Sequence, residues 1–325
     1  MKRVFIDGSA GTTGLRIRER LASRNDLSLV ILPEELRKDP QARRQALNEA
    51  DVAFLCLPDA AAVEAAAMVE NPRTVVIDTS TAHRTADGWE YGFPELFGRR
   101  VRLAHATRIA NPGCHASGFI ALVEPLVRAG LLPRDAQLSA FSLTGYSGGG
   151  KKMIAAYEES GKVEEWKSGK VSEANLFLGG RQYALSQSHK HLPEMAKVCG
   201  LVHAPVFSPI VVPHYSGMEV TVPLAASQLA NVSPAGAVAD VKKIYQTYYA
   251  TGLVRFADDP AAAEGGFLSS AALSGRDILE VSVYGNDERL VLVSRFDNLG
   301  KGASGAAIQN MNIVLGCDEA EGLVQ

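Results

Sequence analysis

Short apolar runs alternate with helical patterns through the first third of the chain. The apolar runs cover 4–7, 27–32, 52–57 and 74–78, and helical patterns lie between them over 15–21, 41–50 and 60–69. The run 52–57 is apolar throughout, which is typical of a strand covered on both faces. Strands that alternate with helices predict βαβ units and a parallel sheet, here extending to about residue 112.

The pattern changes after residue 112. A helical pattern runs from Cys114 to Arg128, and a shorter helix is expected to start near Pro193 and to end at Gly200. Strand-like runs then follow one another with one long helical pattern, 231–249, among them; the runs are 136–144, 206–212, 218–224, 278–284 and 290–296. This order predicts an α+β domain with a mostly antiparallel sheet. The charged segment 162–172 is expected to be exposed.

The predicted fold class is therefore α/β, with a Rossmann-type domain over 1–112 and an α+β substrate domain over 113–298. The C-terminal segment 299–325 begins with small residues and has apolar positions at helical spacing. We expect it to return as a helix that completes the first domain, with Cys317 past the end of that helix.

Composition narrows the class of protein without identifying it. The 325 residues are 46% hydrophobic and 21% charged, with a net charge of −3. This balance does not favour a nucleic-acid or an anionic-membrane partner, and no apolar run is long enough to cross a membrane. The four cysteines lack CxxC spacing, so we expect no zinc site, no disulfide scaffold and a cytoplasmic location.

Three evenly spaced glycines follow the first strand and precede the first helix. Such a turn brings the backbone close to a pyrophosphate and directs a helix N-terminus at that anion. Tight packing of the helix on the strand is the alternative explanation. The turn predicts a dinucleotide site built from Gly8, Ser9, Ala10, Gly11, Thr12, Thr13 and Gly14.

Residues at the carboxyl ends of the next strands are expected to complete this site. Arg37 and Lys38 follow the second strand closely, which favours NADP(H) over NAD(H) unless they belong to a solvated surface turn. Pro58 and Ser80 follow the third and fourth strands and are expected cofactor contacts. Arg84, in the same polar segment as Ser80, is an expected anion contact for the substrate.

Cys114 follows the tight turn Asn111-Pro112-Gly113 and lies where a helix is predicted to begin. The N–H groups and the dipole of a helix N-terminus stabilise a thiolate and lower the pKa of the thiol. A free cysteine is also a common small buried hydrophobe. Cys114 is therefore a candidate nucleophile.

Two further segments carry candidate chemistry. His191 lies near the start of the helix at Pro193, with Glu194 about one turn later and able to orient its imidazole, so the pair His189 and His191 is a general acid/base candidate. No further ligands accompany the His-x-His pair, so no metal is expected. The glycine- and lysine-rich segment 145–152 predicts a flexible anion-binding loop, with a linker as the alternative.

Six motifs, in this order along the chain, resemble those of the N-acetyl-γ-glutamyl-phosphate reductase family, in its shorter class. They are GSAGTTG, IDTSTAHR, ANPGCHASGF, TGYSGGGKKM, HKHLPEM and DNLGKGASGAAIQNMN. The family belongs to a wider group of aldehyde-forming reductases that includes aspartate-semialdehyde dehydrogenase. The resemblance implies a cytoplasmic, oligomeric enzyme (dimer or tetramer) of arginine biosynthesis that uses NADPH. Its reaction would convert N-acetyl-γ-glutamyl phosphate to N-acetylglutamate γ-semialdehyde with release of phosphate.

The same resemblance assigns roles to the candidate residues. Cys114 would be the nucleophile and His191 the acid/base. Substrate contacts would be His189, Glu194, Ser147, Gly148, Gly149 and Arg84, and the last motif would add the cofactor contacts Asn298, Gly300 and Lys301. Two alternatives stay open: a sister reductase for another acyl phosphate, such as aspartyl phosphate or an aminoadipate derivative, and a non-catalytic NAD(P) sensor with the same fold.

Overall fold

A computed structural model describes residues 1–160 and 174–325, so the charged segment 162–172 lies outside the described residues. The chain forms two compact units. The first unit comprises Met1–Gly113 and Ala303–Gln325, and the second unit comprises Cys114–Gly302.

A six-stranded parallel sheet forms the centre of the first unit. Its strands are β1 (Lys2–Asp7), β2 (Leu27–Val30), β3 (Val52–Leu55), β4 (Val75–Asp78), β5 (Glu90–Tyr91) and β6 (Arg108–Ala110). They lie in the order β2-β1-β3-β4-β6-β5, and every neighbouring pair is parallel. The predicted parallel sheet is confirmed.

Helices cover both faces of this sheet. On one face, α1 (Thr12–Leu21) and the C-terminal helix Gly305–Leu315 bury apolar side chains against alternate strand residues. On the other face, α2 (Pro40–Glu49) and α3 (Asp59–Ala67) pack on the remaining strand residues. Because both faces are buried, the central strands are apolar along their whole length, as the run 52–57 indicated.

Three elements of the first unit were not predicted: β5, β6 and the short helix α4 (Arg99–Leu103). Each is five residues or shorter. Such lengths are too short to show a helical or strand period in the sequence. Helix α1 also begins earlier than predicted, because Gly11 is its N-cap and Thr12–Gly14 already form its first turn.

The second unit is built on a seven-stranded mixed sheet. Its strands are β7 (Ser139–Gly145), β8 (Arg181–Gln182), β9 (Val206–Val212), β10 (Met218–Ala225), β11 (Val254–Phe256), β12 (Leu279–Gly285) and β13 (Arg289–Phe296). The order is β11-β12-β13-β10-β7-β9-β8, with parallel pairing only at β11/β12 and β7/β9. The prediction of a mostly antiparallel sheet is confirmed.

Helix α5 (Cys114–Arg128) lies against one face of this sheet. A Cβ atom added at Gly118 would come within 2.5 Å of Val220 and within 2.7 Å of Ser294, so the helix backbone is in direct contact with β10 and β13. Eleven residues of α5 are buried. The next helix along the chain is α6 (Gly150–Ser160), and the two helices after it, α7 (Leu192–Cys199) and α8 (Ala237–Tyr248), pack beside α5. The sheet therefore holds the N-terminus of α5 in a fixed position.

The structure corrects two predictions in the second unit. The segment 145–152 is not a flexible loop: Tyr146–Gly149 form a 3₁₀ turn, and α6 begins at Gly150. The helical pattern 231–249 becomes a helix only from Ala237, because Gly236 has a φ of 94° and acts as the N-cap. The expected helices from Cys114 to Arg128 and from Pro193 to Gly200 are confirmed within a residue.

The C-terminal segment 299–325 is only partly regular. Gly300–Ser304 form a π-helical turn that leads into the helix Gly305–Leu315. That helix ends because Gly316 adopts a left-handed φ of 71°, and Cys317 lies past its end as expected. Within the described residues, no helix has the length and apolar character needed to span a membrane.

Candidate active site

The turn after β1 requires glycine at two of its three spaced positions. Gly8 has a φ of 86°, and a Cβ atom there would lie 2.2 Å from the carbonyl oxygen of Cys56. At Gly14 a Cβ atom would lie 2.5 Å from the carbonyl oxygen of Gly8. At Gly11 the nearest atom would be 3.5 Å away, so packing alone does not require glycine there.

The N-terminus of α1 is accessible beside this turn. No side chain caps the helix at Gly11, which is exposed, as is Ala10, and the side chains of Thr12 and Thr13 are half-buried. Ser9 is buried. Uncapped N–H groups and the positive dipole end provide the donors that a pyrophosphate needs. The turn therefore fits a dinucleotide phosphate, and packing alone does not account for the glycine at residue 11.

The carboxyl end of β1 carries a buried ion pair. Asp7 accepts hydrogen bonds from Arg43 Nε at 3.0 Å and Nη2 at 2.8 Å. Burial raises the pKa of Asp7, and the guanidinium opposes that shift. The pair anchors α2 to the strand that leads into the glycine turn.

The predicted cofactor residues after β2 and β3 lie on the surface of the first unit. The 3₁₀ turn Glu34–Leu36 precedes Arg37, whose Nε donates to the carbonyl oxygen of Leu32 at 3.4 Å. Lys38 is exposed. Pro58 is also exposed and is the N-cap residue of α3.

Asp78, at the end of β4, organises a polar cluster that the sequence did not single out. It accepts hydrogen bonds from the backbone N–H of Ser80 at 2.9 Å and from the Ser80 hydroxyl at 2.7 Å. Its second oxygen also lies 2.6 Å from His83 Nδ1, and the His83 ring stacks on Trp89 with centroids 3.9 Å apart. The hydroxyl of Ser80, an expected cofactor contact, is thus engaged in a hydrogen bond within the loop that follows β4.

Arg84 connects this loop to the turn before Cys114. Its Nε donates to the carbonyl oxygen of Asn111 at 2.9 Å, and its Nη2 donates to that of Thr79 at 3.2 Å. The Asn111 side chain in turn donates to the carbonyl oxygen of Ala303 at 3.0 Å. Arg84 was expected to contact the substrate, and these bonds show that it also links two backbone segments within the first unit.

Cys114 is the first residue of α5 and is half-buried. Its Cβ lies 3.0 Å from the place where a Cβ of Gly302 would be, so a side chain at Gly302 would press on the cysteine. The position at the start of a 15-residue helix, predicted from the sequence, is confirmed. The helix dipole favours the thiolate form at such a position.

Three histidines lie around the start of α5. The His115 ring is 5.4 Å from that of His189 and 5.5 Å from that of His191, centroid to centroid. His189 and His191 are 4.7 Å apart. His191 is the N-cap of α7, as expected, and its Nε2 lies 3.9 Å from a carboxylate oxygen of Glu194. The structure therefore brings the predicted histidine pair beside the residue that follows Cys114.

The two histidines of the pair have different surroundings. His189 is half-buried, and its Nδ1 accepts the backbone N–H of His191 at 3.1 Å. His191 is buried, with 5% of its surface exposed. A neutral His189 therefore carries its proton on Nε2, the nitrogen on the other side of the ring.

Sequence reasoning missed His115, although it is adjacent to Cys114. Its Nδ1 lies 2.7 Å from the Ser142 hydroxyl and its Nε2 lies 2.6 Å from the Tyr183 hydroxyl. Burial, and then the nearby His189 and Lys190, lower the pKa of His115 to about 3. The chain distance to Ser142 and Tyr183 explains the omission, because only the folded sheet brings these three residues together.

The side chain of Asn298 hydrogen-bonds to the glycine-rich turn after β7. Asn298 Nδ2 donates to the Ser147 hydroxyl at 3.1 Å, and its Oδ1 accepts the backbone N–H of Gly217 at 3.0 Å. Gly148 and Gly149 are exposed on the same turn. Asn298 was an expected cofactor contact, but in the structure its side-chain amide holds the turn that carries the predicted substrate residues.

Gly300 and Lys301 follow a buried carboxylate. Asp297 accepts the backbone N–H groups of Leu299 at 2.7 Å and of Gly300 at 3.3 Å. A Cβ at Gly300 would lie 2.2 Å from the carbonyl oxygen of Arg276, so glycine is required there for packing. Lys301 is 2% exposed.

Comparison with known proteins places this arrangement in a family. A family model described as semialdehyde dehydrogenase, dimerisation domain, matches residues 114–298, and one described as semialdehyde dehydrogenase, NAD binding domain, matches residues 32–104. N-acetyl-gamma-glutamyl-phosphate reductase 2 from a Nostoc species is 43% identical over 99% of both chains. The enzyme of the same name from Pseudomonas putida is 44% identical over 98% of both. The chain belongs to the N-acetyl-γ-glutamyl-phosphate reductase family.

Solved structures agree with this family at the level of the fold. Aspartate semialdehyde dehydrogenase II from Vibrio cholerae superposes with a TM-score of 0.72 at 16% identity, over 97% of this chain and 98% of that one. The aspartate semialdehyde dehydrogenase from Francisella tularensis gives 0.71 at 12% identity, over 97% and 100%. The expected two-part architecture of an N-acetyl-γ-glutamyl-phosphate reductase is thereby confirmed.

The predicted site residues of this reductase fall into two groups. In the first unit, the glycine turn has the form that a dinucleotide requires. In the second unit, His189 and His191 lie beside the ring of His115, the residue that follows Cys114, and Glu194 lies against His191. Among the described residues, no group of three or more His, Cys, Asp or Glu side chains is arranged to hold a metal ion.

Proposed function

We propose that the protein reduces N-acetyl-γ-glutamyl phosphate to N-acetylglutamate γ-semialdehyde, with NADPH as reductant and release of phosphate, in arginine biosynthesis. The observation that carries the proposal is Cys114 at the start of α5, beside a cluster of three imidazoles. A sensor would need only a cofactor site, so this cluster favours an enzyme. The names of relatives that match along the whole chain support the substrate.

In this reaction Cys114 is the nucleophile. Its thiolate attacks the acyl carbon, the carbon–sulfur bond forms as the carbon–oxygen bond to phosphate breaks, and phosphate leaves. When bound, NADPH supplies a hydride to the resulting thioester carbon. The carbon–sulfur bond then breaks, Cys114 departs as a thiolate, and the aldehyde is released. The dipole of α5 stabilises the Cys114 thiolate both before it attacks the substrate and when it leaves the product.

We propose that His189 contacts the substrate as a hydrogen-bond donor, and that His191 is not the acid/base favoured by the sequence. His189 is half-buried and its Nδ1 accepts a backbone N–H, so its Nε2 carries the imidazole proton and can donate a hydrogen bond to a substrate oxygen. His191 is buried and lies against Glu194. Its role in the proposal is to position the start of α7, with Glu194 holding the orientation of the ring.

The substrate phosphate and carboxylate would bind at the turn after β7. Gly148 and Gly149 would present backbone N–H groups there, whereas Ser147 is 1% exposed and its hydroxyl accepts from Asn298, so Ser147 would shape the turn. Backbone N–H groups on a glycine-rich turn suit a phosphate or carboxylate. Arg84 remains a candidate anion contact for the substrate, in addition to its two bonds to backbone carbonyl oxygens.

The proposed cofactor site consists of the glycine turn and of residues at neighbouring strand ends. Residues 8–14 would hold the pyrophosphate, because Gly8 and Gly14 shape the turn and Gly11 leaves its surface open. Arg37 or Lys38 would bind the 2′-phosphate that distinguishes NADP from NAD. Pro58, Gly300 and Lys301 stay in the proposal as neighbours of the cofactor, whereas Ser80 and Asn298 would act by shaping loops.

We also propose that the protein is a homo-oligomer, paired through the second unit. The sheet face opposite α5 exposes apolar side chains: Phe141 is 48% exposed, Val206 62% and Val291 37%. The strand pairing places all three on that one face. Contiguous apolar surface of this kind is typical of an interface, and the matched model carries the description dimerisation domain.

Phosphate-dependent reduction of NADP⁺ by a panel of semialdehydes tests the proposal in the reverse direction. We expect N-acetylglutamate γ-semialdehyde to give the highest kcat/KM, no turnover without phosphate, and none for Cys114→Ser, which should still bind NADPH. Preference for aspartate semialdehyde or an aminoadipate derivative would identify a sister reductase. Cofactor binding without turnover of any aldehyde would identify a sensor.

A further inference from the structure

A hydrogen-bonded chain of three side chains includes His115, the residue that follows Cys114. Ser142 Oγ lies 2.7 Å from His115 Nδ1, and His115 Nε2 lies 2.6 Å from the Tyr183 hydroxyl. Both distances are those of good hydrogen bonds. The proton directions along this chain decide what Tyr183 can do.

His115 is neutral at any pH near neutrality, because burial has lowered its pKa to about 3. A neutral imidazole has one N–H donor and one acceptor nitrogen. It must therefore donate to one of its two hydroxyl partners and accept from the other. Two directions are possible: from Ser142 towards Tyr183, or from Tyr183 towards Ser142.

The burial of Ser142 selects between them. Ser142 is 0% exposed, and among the residues that the structure describes its hydroxyl bonds only to His115. If Ser142 accepted from His115, its own proton would be buried with no acceptor, at a cost of about 1–3 kcal/mol. Ser142 therefore donates to Nδ1, Nε2 carries the imidazole proton, and that proton is donated to the Tyr183 oxygen.

The phenolic proton of Tyr183 is consequently directed away from His115. Tyr183 is only half-buried, and within the described parts of the chain its hydroxyl is hydrogen-bonded only to His115. Its ring lies 5.8 Å from that of His189, centroid to centroid. Burial and the nearby Cys114 raise the pKa of Tyr183, so the phenol keeps its proton throughout the working pH range.

We propose that Tyr183 donates a hydrogen bond to the acyl oxygen of the substrate while its carbon is joined to Cys114, with His115 and Ser142 as positioning residues. The inference rests on the proposed function. The oxygen gains negative charge when the thiolate attacks and again when hydride arrives, and a fixed neutral donor stabilises that charge. No proton is transferred by Tyr183 in this role.

The decisive variant is Tyr183→Phe, which removes only the hydroxyl. We expect kcat for N-acetylglutamate γ-semialdehyde to fall about 100-fold, the scale seen when one oxyanion donor is removed, with KM changed less than about twofold. Alkylation of Cys114 by iodoacetamide should keep its pH dependence, because the thiolate is still formed. Tyr245→Phe is the matched control: its hydroxyl also donates, to the Leu122 carbonyl oxygen at 2.6 Å, but lies two turns along α5.

A double-variant cycle separates positioning from mere structural support. Ser142→Ala should lower kcat about tenfold, the scale of one lost hydrogen bond. It should add almost nothing in the Tyr183→Phe background, because Ser142 acts through Tyr183. Additive effects would assign Ser142 a structural role and contradict the chain.

The outcomes for Tyr183 itself distinguish the inference from the function on which it rests. A wild-type protein without aldehyde turnover contradicts the proposed function. Wild-type turnover with an unchanged kcat in Tyr183→Phe overturns the inference alone. If Tyr183→Phe raises only the KM for phosphate, the hydroxyl binds the phosphate and the acyl-oxygen assignment is wrong.

Discussion

Acid should destabilise the second unit through His115, and the size of the effect follows from the structure. The folded chain holds the His115 pKa at about 3, against 6.5 for an unperturbed histidine. Below pH 6.5 the unfolded chain therefore binds a proton that the folded chain does not. Stability is complete above pH 6.5 and is lost as the pH falls from 6.5 towards 3, at about 1.4 kcal/mol per pH unit.

At pH 5 this single residue should lower the free energy of unfolding by about 2 kcal/mol relative to pH 8. Other groups also titrate in this range. Burial lowers the pKa of His214 as well, which adds to the loss, whereas the raised pKa of Asp7 acts in the opposite direction. The His115 contribution must therefore be measured as a difference between the wild type and His115→Gln, which cannot titrate.

Urea unfolding of both proteins at pH 8 and pH 5, at one fixed protein concentration, measures that difference. We expect the wild type to lose about 2 kcal/mol more than His115→Gln between the two pH values. An independent measurement uses histidine labelled at the ring carbon, since the chain has seven histidines. The signal that is absent from His115→Gln should not titrate between pH 8 and pH 5 in the folded wild type. A titration midpoint near 6.5 for that signal would refute the reasoning, because a protonated His115 could not accept from Ser142.

The remaining predictions concern the cofactor and the histidine pair. Gly14→Ala should prevent normal folding of the first unit, because the new Cβ would meet the Gly8 carbonyl oxygen. Gly11→Ala, in contrast, should keep the unfolding midpoint and weaken NADPH binding at least tenfold in a fluorescence titration. An unchanged NADPH affinity would mean that no ligand approaches Gly11. Arg37→Ala should reduce the ratio of NADP⁺ to NAD⁺ kcat/KM by about tenfold, the scale of one charge-assisted hydrogen bond; an unchanged ratio excludes Arg37 from the 2′-phosphate site and leaves Lys38. His189→Asn should lower kcat by about tenfold, the scale of one lost hydrogen bond, and by more than His191→Asn; the reverse order would return the acid/base role to His191.

Local patterns in the sequence were sufficient for the long elements. The strands β9, β10, β12 and β13 agree with their apolar runs within a residue, because each run is short and ends at turn residues. The start of α5 at Cys114 was predicted for a similar reason, since Pro112 and Gly113 interrupt the backbone immediately before an apolar run. Short elements such as β5 and α4 contain no full period, so they could not be predicted.

The sequence by itself therefore determined the two-part architecture, the glycine turn and the position of Cys114 at the start of α5, because each is encoded by neighbours along the chain. Only the tertiary structure decided how the side chains divide their roles. Asn298 bonds to Ser147 across a separation of 151 residues, and Tyr183 meets His115 across 68. Hydrogen-bond partners and burial set the pKa of a group and the direction of its proton, and both depend on residues that folding, not sequence order, brings together.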